Sequence, residues 1–157
     1  MKKFRILTVD NDDSFRQILK TTLRVSLPTV AIDEATGGIE ALQKIDAFLP
    51  DLIFMDIQLP GENGLTLTRK IKATHPNTII VILTSYDKPE YREVAIRNGA
   101  DRFLVKTSLN PKELEELVKY YFWKLGFDFT DIVKRDGDFF PKSSGADLDT
   151  SMMIPTW

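Results

Sequence analysis

Leu52-Ile53-Phe54-Met55-Asp56-Ile57-Gln58-Leu59-Pro60-Gly61 decides the fold. Leu52 to Met55 is apolar throughout and runs straight into a carboxylate, followed by a Pro-Gly loop that also holds Gly64. So short an apolar run reads as a strand buried on both faces of a parallel sheet. Working outward, Phe4 to Val9, the alternating, edge-like Val30 to Ala35, the most apolar stretch Thr78 to Thr84, and Phe103 to Val105 read as further strands. Helical periods fill the intervals. Asp12 or Asp13 caps a segment in which Phe15, Ile18, Leu19, Thr22 and Leu23 fall at helical spacing, and Pro28 ends it. Gly38 to Phe48 puts Ile39, Leu42, Ile45 and Phe48 on one helical face. Leu65 to Ala73 is a helix, and Pro89 to Asn98 is another, stopped by Gly99. A last helix starts at the Asn110-Pro111 cap and runs to about Lys124. Strand then helix, five times over, predicts an α/β doubly wound parallel sheet of five strands with helices on both faces. Ligands of such a sheet bind beyond the carboxyl ends of its strands.

Composition excludes several other readings. The 157 residues suit one domain, and 43% hydrophobic with 28% charged residues is an ordinary globular balance. The formal net charge is −2 and the pI about 5.5, which gives no electrostatic footprint for direct nucleic-acid binding. The chain has no cysteine, so disulfides, thiolate metal sites and cysteine nucleophiles are excluded. The longest purely apolar stretch, Ile79 to Leu83, is far too short to cross a membrane, and Arg5 and Asp10 interrupt any signal-peptide core after Met1-Lys2-Lys3. A cytoplasmic location is expected.

The expected strand ends carry Asp10-Asn11-Asp12-Asp13, Asp56, Thr84-Ser85 and Lys106. A parallel sheet brings these together on one rim. Clustered carboxylates repel unless a cation neutralises them, and hard oxygen donors suit Mg²⁺ or Ca²⁺. A lysine and a hydroxyl beside that cation suit a phosphoryl group, whose charge is stabilised electrostatically. A carboxylate can itself serve as the nucleophile and become an aspartyl phosphate.

The same residues resemble the receiver domains of two-component response regulators. The motifs that carry the resemblance are Leu7-Thr8-Val9-Asp10-Asn11, the Leu52 to Gly61 stretch with Gly64, Ile82-Leu83-Thr84-Ser85, and Gly99-Ala100-Asp101-Arg102-Phe103-Leu104-Val105-Lys106. It spans about Phe4 to Leu125 and implies a flavodoxin-like sheet with strand order 2-1-3-4-5. It also implies that Asp56 is the phosphoacceptor, and that Asp10, Asn11, Asp56 and the Gln58 backbone carbonyl bind Mg²⁺. Thr84 and Lys106 would bind the phosphoryl group, with Thr84 and Phe103 forming the switch. Gln58 and Tyr86, each two residues beyond a site residue, would flank the attacking water and set the phosphoryl lifetime. The phosphoryl group would come from a sensor histidine kinase or a phosphotransfer protein, since His75 is the chain's only histidine. The face from about Pro89 to Lys124 would bind a downstream protein or a second copy of the chain.

Two positions depart from the family pattern. Asn11 stands where the family usually has a second acidic residue, which removes one charge from the metal site unless Asp12 leans in. Thr107 stands where proline usually follows the lysine. A cis bond before a non-proline residue costs about 3 kcal/mol, so a trans loop is expected here. Both departures support an alternative, a receiver-fold adaptor that is not phosphorylated. A second alternative is a haloacid-dehalogenase-like phosphatase with Asp10 as nucleophile, which would leave Asp56 without a role. A flavin-binding domain is disfavoured because no phosphate-cradling loop follows the first strand. Residues 126–157 form an acidic, aromatic-containing tail or linker with a break at Lys142-Ser143-Ser144-Gly145, too short for an effector domain.

Overall fold

The computed structural model describes residues 2–127. Five strands alternate with five helices: β1 (Arg5–Val9), α1 (Asp13–Ser26), β2 (Ala31–Ala35), α2 (Gly38–Phe48), β3 (Leu52–Met55), α3 (Gly64–Thr74), β4 (Ile79–Thr84), α4 (Pro89–Arg97), β5 (Arg102–Val105) and α5 (Pro111–Lys124). The strands form one parallel sheet in the order β2-β1-β3-β4-β5. That order places β1 and β3 side by side at its centre, in register from Ile6 opposite Leu52 to Val9 opposite Met55.

Successive residues along each central strand feed two cores, as the period of two requires. Ile6, Leu52, Phe54, Val81, Leu83 and Leu104 pack on one face with Leu19 and Leu23 of α1 and Leu114, Leu117 and Val118 of α5. Leu7, Val9, Ile53, Met55, Ile80 and Ile82 pack on the other with residues of α2, α3 and α4.

Local signals work largely as expected. Asp12 caps α1 by accepting from Phe15 N–H at 3.1 Å, and Asn110 caps α5 by accepting from Glu113 N–H at 2.8 Å. Gly99, at φ +99°, ends the α4 segment. Past α5, Phe127 folds back edge-on against Phe4, with ring centroids 5.0 Å apart. The expected aromatic tail beyond Phe127 lies outside the described residues.

Two helical faces differ from the expected ones. On α2, Ile39 is 79% exposed and Leu42 is 38% exposed, while Gly38, Ala41 and Ile45 face the core. The small residues win because the helix start lies against the loop after β3. A side chain on Gly38 would put its Cβ 3.2 Å from Glu62 Cβ. On α1, Ile18 is 63% exposed and Arg16 takes an inward place. The β2 edge strand also lacks the expected alternation, with only Ala35 fully buried.

Candidate functional site

The central strands aim two carboxylates at one point. Asp10 and Asp56 each follow the last residue of a strand, and both stay within the ladder. Asp10 N–H donates to Ala35 O at 3.0 Å, and Asp56 N–H donates to Val9 O at 2.9 Å. Both residues are buried, at 4% and 8% exposure. From the end of β5, Lys106 Nζ reaches 2.6 Å from Asp10 Oδ2 and 3.1 Å from Asp56 Oδ2. The peptide bond from Lys106 to Thr107 is trans, and the two residues open a single 3₁₀ turn, Lys106–Ser108. A proline after the lysine is thus unnecessary for its reach.

Burial disfavours charge on Lys106 and on Asp10, with different outcomes. Burial alone would lower Lys106. The hydrogen bond to Asp10 and the charges of Asp56 and Asp10 outweigh it and hold the ammonium above its usual range. Burial pushes the Asp10 carboxyl up, against the pull of Lys106 and of the Asp12 N–H that donates to its Oδ1 at 2.9 Å. A carboxylate short of compensating charge in this way is well matched to a second cation. Asp56 presents two different oxygens, since Oδ1 accepts from Ile57 N–H at 2.7 Å and Oδ2 faces Lys106.

The loop after Asp56 is tightly constrained. Gly64 N–H donates to Ile57 O at 2.8 Å, and a Cβ on Gly64 would lie 1.9 Å from the Asp56 carbonyl oxygen. Only glycine allows the start of α3 to pass so close to the Asp56 backbone.

The other expected residues are distributed around this centre. Thr84 is fully buried at the end of β4, and its hydroxyl accepts from Tyr86 N–H at 3.4 Å. Phe103 is buried in the α2–α4 core, with the Arg92 guanidinium 4.7 Å from its ring centroid and Asp87 Oδ1 2.8 Å from Arg92 Nε. Asn11, Gln58 and Tyr86 are exposed. Asp12 caps α1 through its Oδ1. The residues that could hold a hard cation are the buried Asp10 and Asp56 carboxylates, with the Asn11 side chain and the Gln58 carbonyl close by in the chain. All are oxygen donors, which fits Mg²⁺ with one charge fewer than a second acidic residue would supply.

Sequence reasoning missed Arg16. It is buried at 8% exposure, and its guanidinium donates to the Asp10 backbone carbonyl, to the Asp13 carboxylate and, at 3.4 Å, to Glu34 of β2. It thereby ties α1, the edge strand and the Asp10 turn together. Its spacing of three from Asp13 was the available signal.

Comparison with known proteins agrees with this geometry. Residues 6–119 match the response regulator receiver domain family. A 105-residue stretch, 66% of the chain, is 34% identical to the oxygen regulatory protein NreC of Staphylococcus aureus strain JH9 and covers 48% of it. A 78-residue stretch, 49% of the chain, is 44% identical to NreC of Staphylococcus carnosus strain TM300 and covers 36% of it. The chain thus spans about half or less of the length of these curated relatives. Among solved structures, a CheY-like receiver domain protein from Methanospirillum hungatei JF-1 superposes with TM-score 0.73 at 28% identity, over 78% of this chain and 96% of that one. A two-component response regulator from Clostridium difficile superposes with TM-score 0.73 at 31% identity, over 79% and 99%.

Proposed function

Because the chain belongs to the response regulator receiver family of two-component signalling, we propose that Asp56 is its phosphoacceptor in a His-to-Asp phosphorelay and that phosphorylation switches a protein-interaction surface. One observation carries the reading: a single lysine ammonium lies within 3.1 Å of two buried carboxylates delivered by different strands. Such a pair is poised to exchange a carboxylate partner for a phosphoryl oxygen.

In the transfer, an Asp56 carboxylate oxygen bonds to phosphorus as the bond from phosphorus to the donor imidazole nitrogen breaks. The imidazole leaves with that electron pair. Asp10, Asp56, the Asn11 side-chain oxygen and the Gln58 carbonyl would hold Mg²⁺, which when bound offsets the charge of the phosphoryl oxygens. Lys106 neutralises another phosphoryl oxygen. Thr84 turns its hydroxyl from Tyr86 N–H to donate to the new group. Its movement opens room for Phe103 to repack, which shifts the face from about Pro89 to Lys124 between two arrangements. A downstream protein or a second copy of the chain reads that face. Slow hydrolysis resets Asp56, and the exposed Gln58 and Tyr86 flank the approaching water. The receiver unit is residues 1–125 with 126–157 as tail or linker, and it works in the cytosol.

The test is intact mass after incubation with a small phosphodonor and Mg²⁺. One phosphoryl group on the wild type and none on Asp56→Asn supports the reading. An unlabelled wild type, even with excess Mg²⁺ and a histidine kinase, points to the adaptor. Labelling that survives Asp56→Asn and disappears only in Asp10→Asn points to the phosphatase.

A further inference from the structure

The first turn of α1 brings to the site an aromatic ring that the transfer chemistry above does not use. The Phe15 ring centroid lies 4.3 Å from Lys106 Nζ. Phe15 also lines a small cavity at the strand ends together with Thr8, Asp10, Phe54 and Asp56. The Asp12 cap fixes this turn, because the N–H that Asp12 accepts from is that of Phe15 itself. The Lys106 side chain is only 10% exposed. An ammonium this far out of water gains more from a ring face than an exposed one does.

Lysine is a compact charge on a flexible stem of four carbons. Here the stem leaves the backbone at the start of a 3₁₀ turn, with Thr107 following through a trans bond. Asp10 and Asp56 both contact the ammonium, at 2.6 and 3.1 Å. Phe15 supplies a third contact, from another element. We propose that Phe15 is a positioning residue for phosphoryl transfer, its ring face holding the Lys106 ammonium across Asp10 and Asp56 through a cation–π contact. This rests on the reading of Asp56 as phosphoacceptor.

A ring that merely fills space would support the same fold, so the test varies the ring's electrons at nearly constant shape. In the full chain, position 15 receives 4-fluoro-, 3,5-difluoro- and 3,4,5-trifluorophenylalanine, alongside Phe15→Trp and Phe15→Leu. The first readout is the rate of aspartyl phosphate formation from acetyl phosphate with Mg²⁺. An Asp56 carboxylate oxygen bonds to phosphorus as the bond from phosphorus to the acetate oxygen breaks, and acetate leaves with the electron pair. This small donor needs no protein docking, so a partner-binding role for the ring does not move the rate. The second readout, without donor or metal, is the NMR shift of the Lys106 Hε protons.

The rate is expected to fall stepwise with fluorination, by about three- to tenfold in total, with Phe15→Leu at the bottom and Phe15→Trp near wild type. The Lys106 Hε shift is expected upfield in the wild type and close to the ordinary lysine position in Phe15→Leu. A flat rate across the fluorinated series, or a Lys106 shift unmoved by Phe15→Leu, overturns the role of Phe15 alone. A wild type that forms no aspartyl phosphate overturns the phosphoacceptor reading, and this proposal with it.

Discussion

Replacing Gly64 by alanine isolates what the loop after β3 does for Asp56. Gly64 opens α3 and has no positive φ, so alanine suits its backbone and would gain about 1 kcal/mol of helix propensity. Space forbids it. The new Cβ would lie 1.9 Å from the Asp56 oxygen, 2.9 Å from its carbonyl carbon and 3.0 Å from Ile57 Cα. All three are backbone atoms, and none can rotate aside. The Cβ must withdraw by roughly 1.5 Å to reach ordinary contact near 3.5 Å. That displacement strains the hydrogen bonds from Gly64 N–H to Ile57 O and from Ile57 N–H to Asp56 Oδ1. Overpacking costs about 1–3 kcal/mol and each lost hydrogen bond about 1 kcal/mol. Set against the helix gain, the net loss is about 2–4 kcal/mol. Because a misplacement of about 1 Å can cost roughly a hundredfold in rate, phosphorylation of Asp56 should slow by about that much. Urea unfolding gives the first number, and single-turnover labelling with a small phosphodonor gives the second. Wild-type stability together with a wild-type labelling rate would refute the close approach as the reason for glycine.

Other perturbations probe separate parts of the molecule. Arg16→Met leaves the Asp10 carbonyl without its guanidinium donor and should cost about 2 kcal/mol in urea unfolding. Arg16→Lys should recover only part of this, because one ammonium cannot replace the planar fork; a loss under about 0.5 kcal/mol in the methionine variant contradicts the anchoring role. Tyr86→Ala should shorten the lifetime of the phosphorylated form several-fold in a mass-detected decay, and an unchanged lifetime removes Tyr86 from the water path. Burial pushes the Tyr121 phenol up to about 12 from its ordinary 10. Between those values the unfolded chain has lost the phenolic proton while the folded chain keeps it. Stability should therefore fall as pH rises through this window, by about 3 kcal/mol in total. Tyr121→Phe should remove that alkaline fall in urea unfolding measured from pH 9 to 12, and an identical fall in the variant contradicts it.

The architecture was legible because strand ends and caps are local signals. Asp12, Asn110 and Gly99 punctuate the helices as their chemistry dictates, and the apolar Leu52 to Met55 run is buried throughout. The helical faces were less legible. Ile39 and Leu42 are hydrophobic and periodic, yet close packing of α2 against the loop at Glu62 favours the small Gly38 and Ala41. Hydrophobicity alone does not report how near two backbones come. At the site, Asp10, Asp56 and Lys106 could be brought together from topology, since each ends a neighbouring or nearby strand. Arg16 and Phe15 could not. Both sit in the first turn of α1, and their contacts depend on how that turn tilts over the sheet. Thr107 shows the converse: the departure from the family pattern was visible, but not its consequence, because a trans 3₁₀ turn still brings Lys106 to Asp10 and Asp56.

Asp56 is the residue proposed to carry the phosphoryl group. Borohydride reduction of the acyl phosphate converts the modified aspartate to homoserine, which peptide mass spectrometry then locates. After incubation with acetyl phosphate and Mg²⁺, homoserine is expected at position 56 and at no other aspartate. Homoserine at position 10, or none on a chain that remains folded, would contradict it.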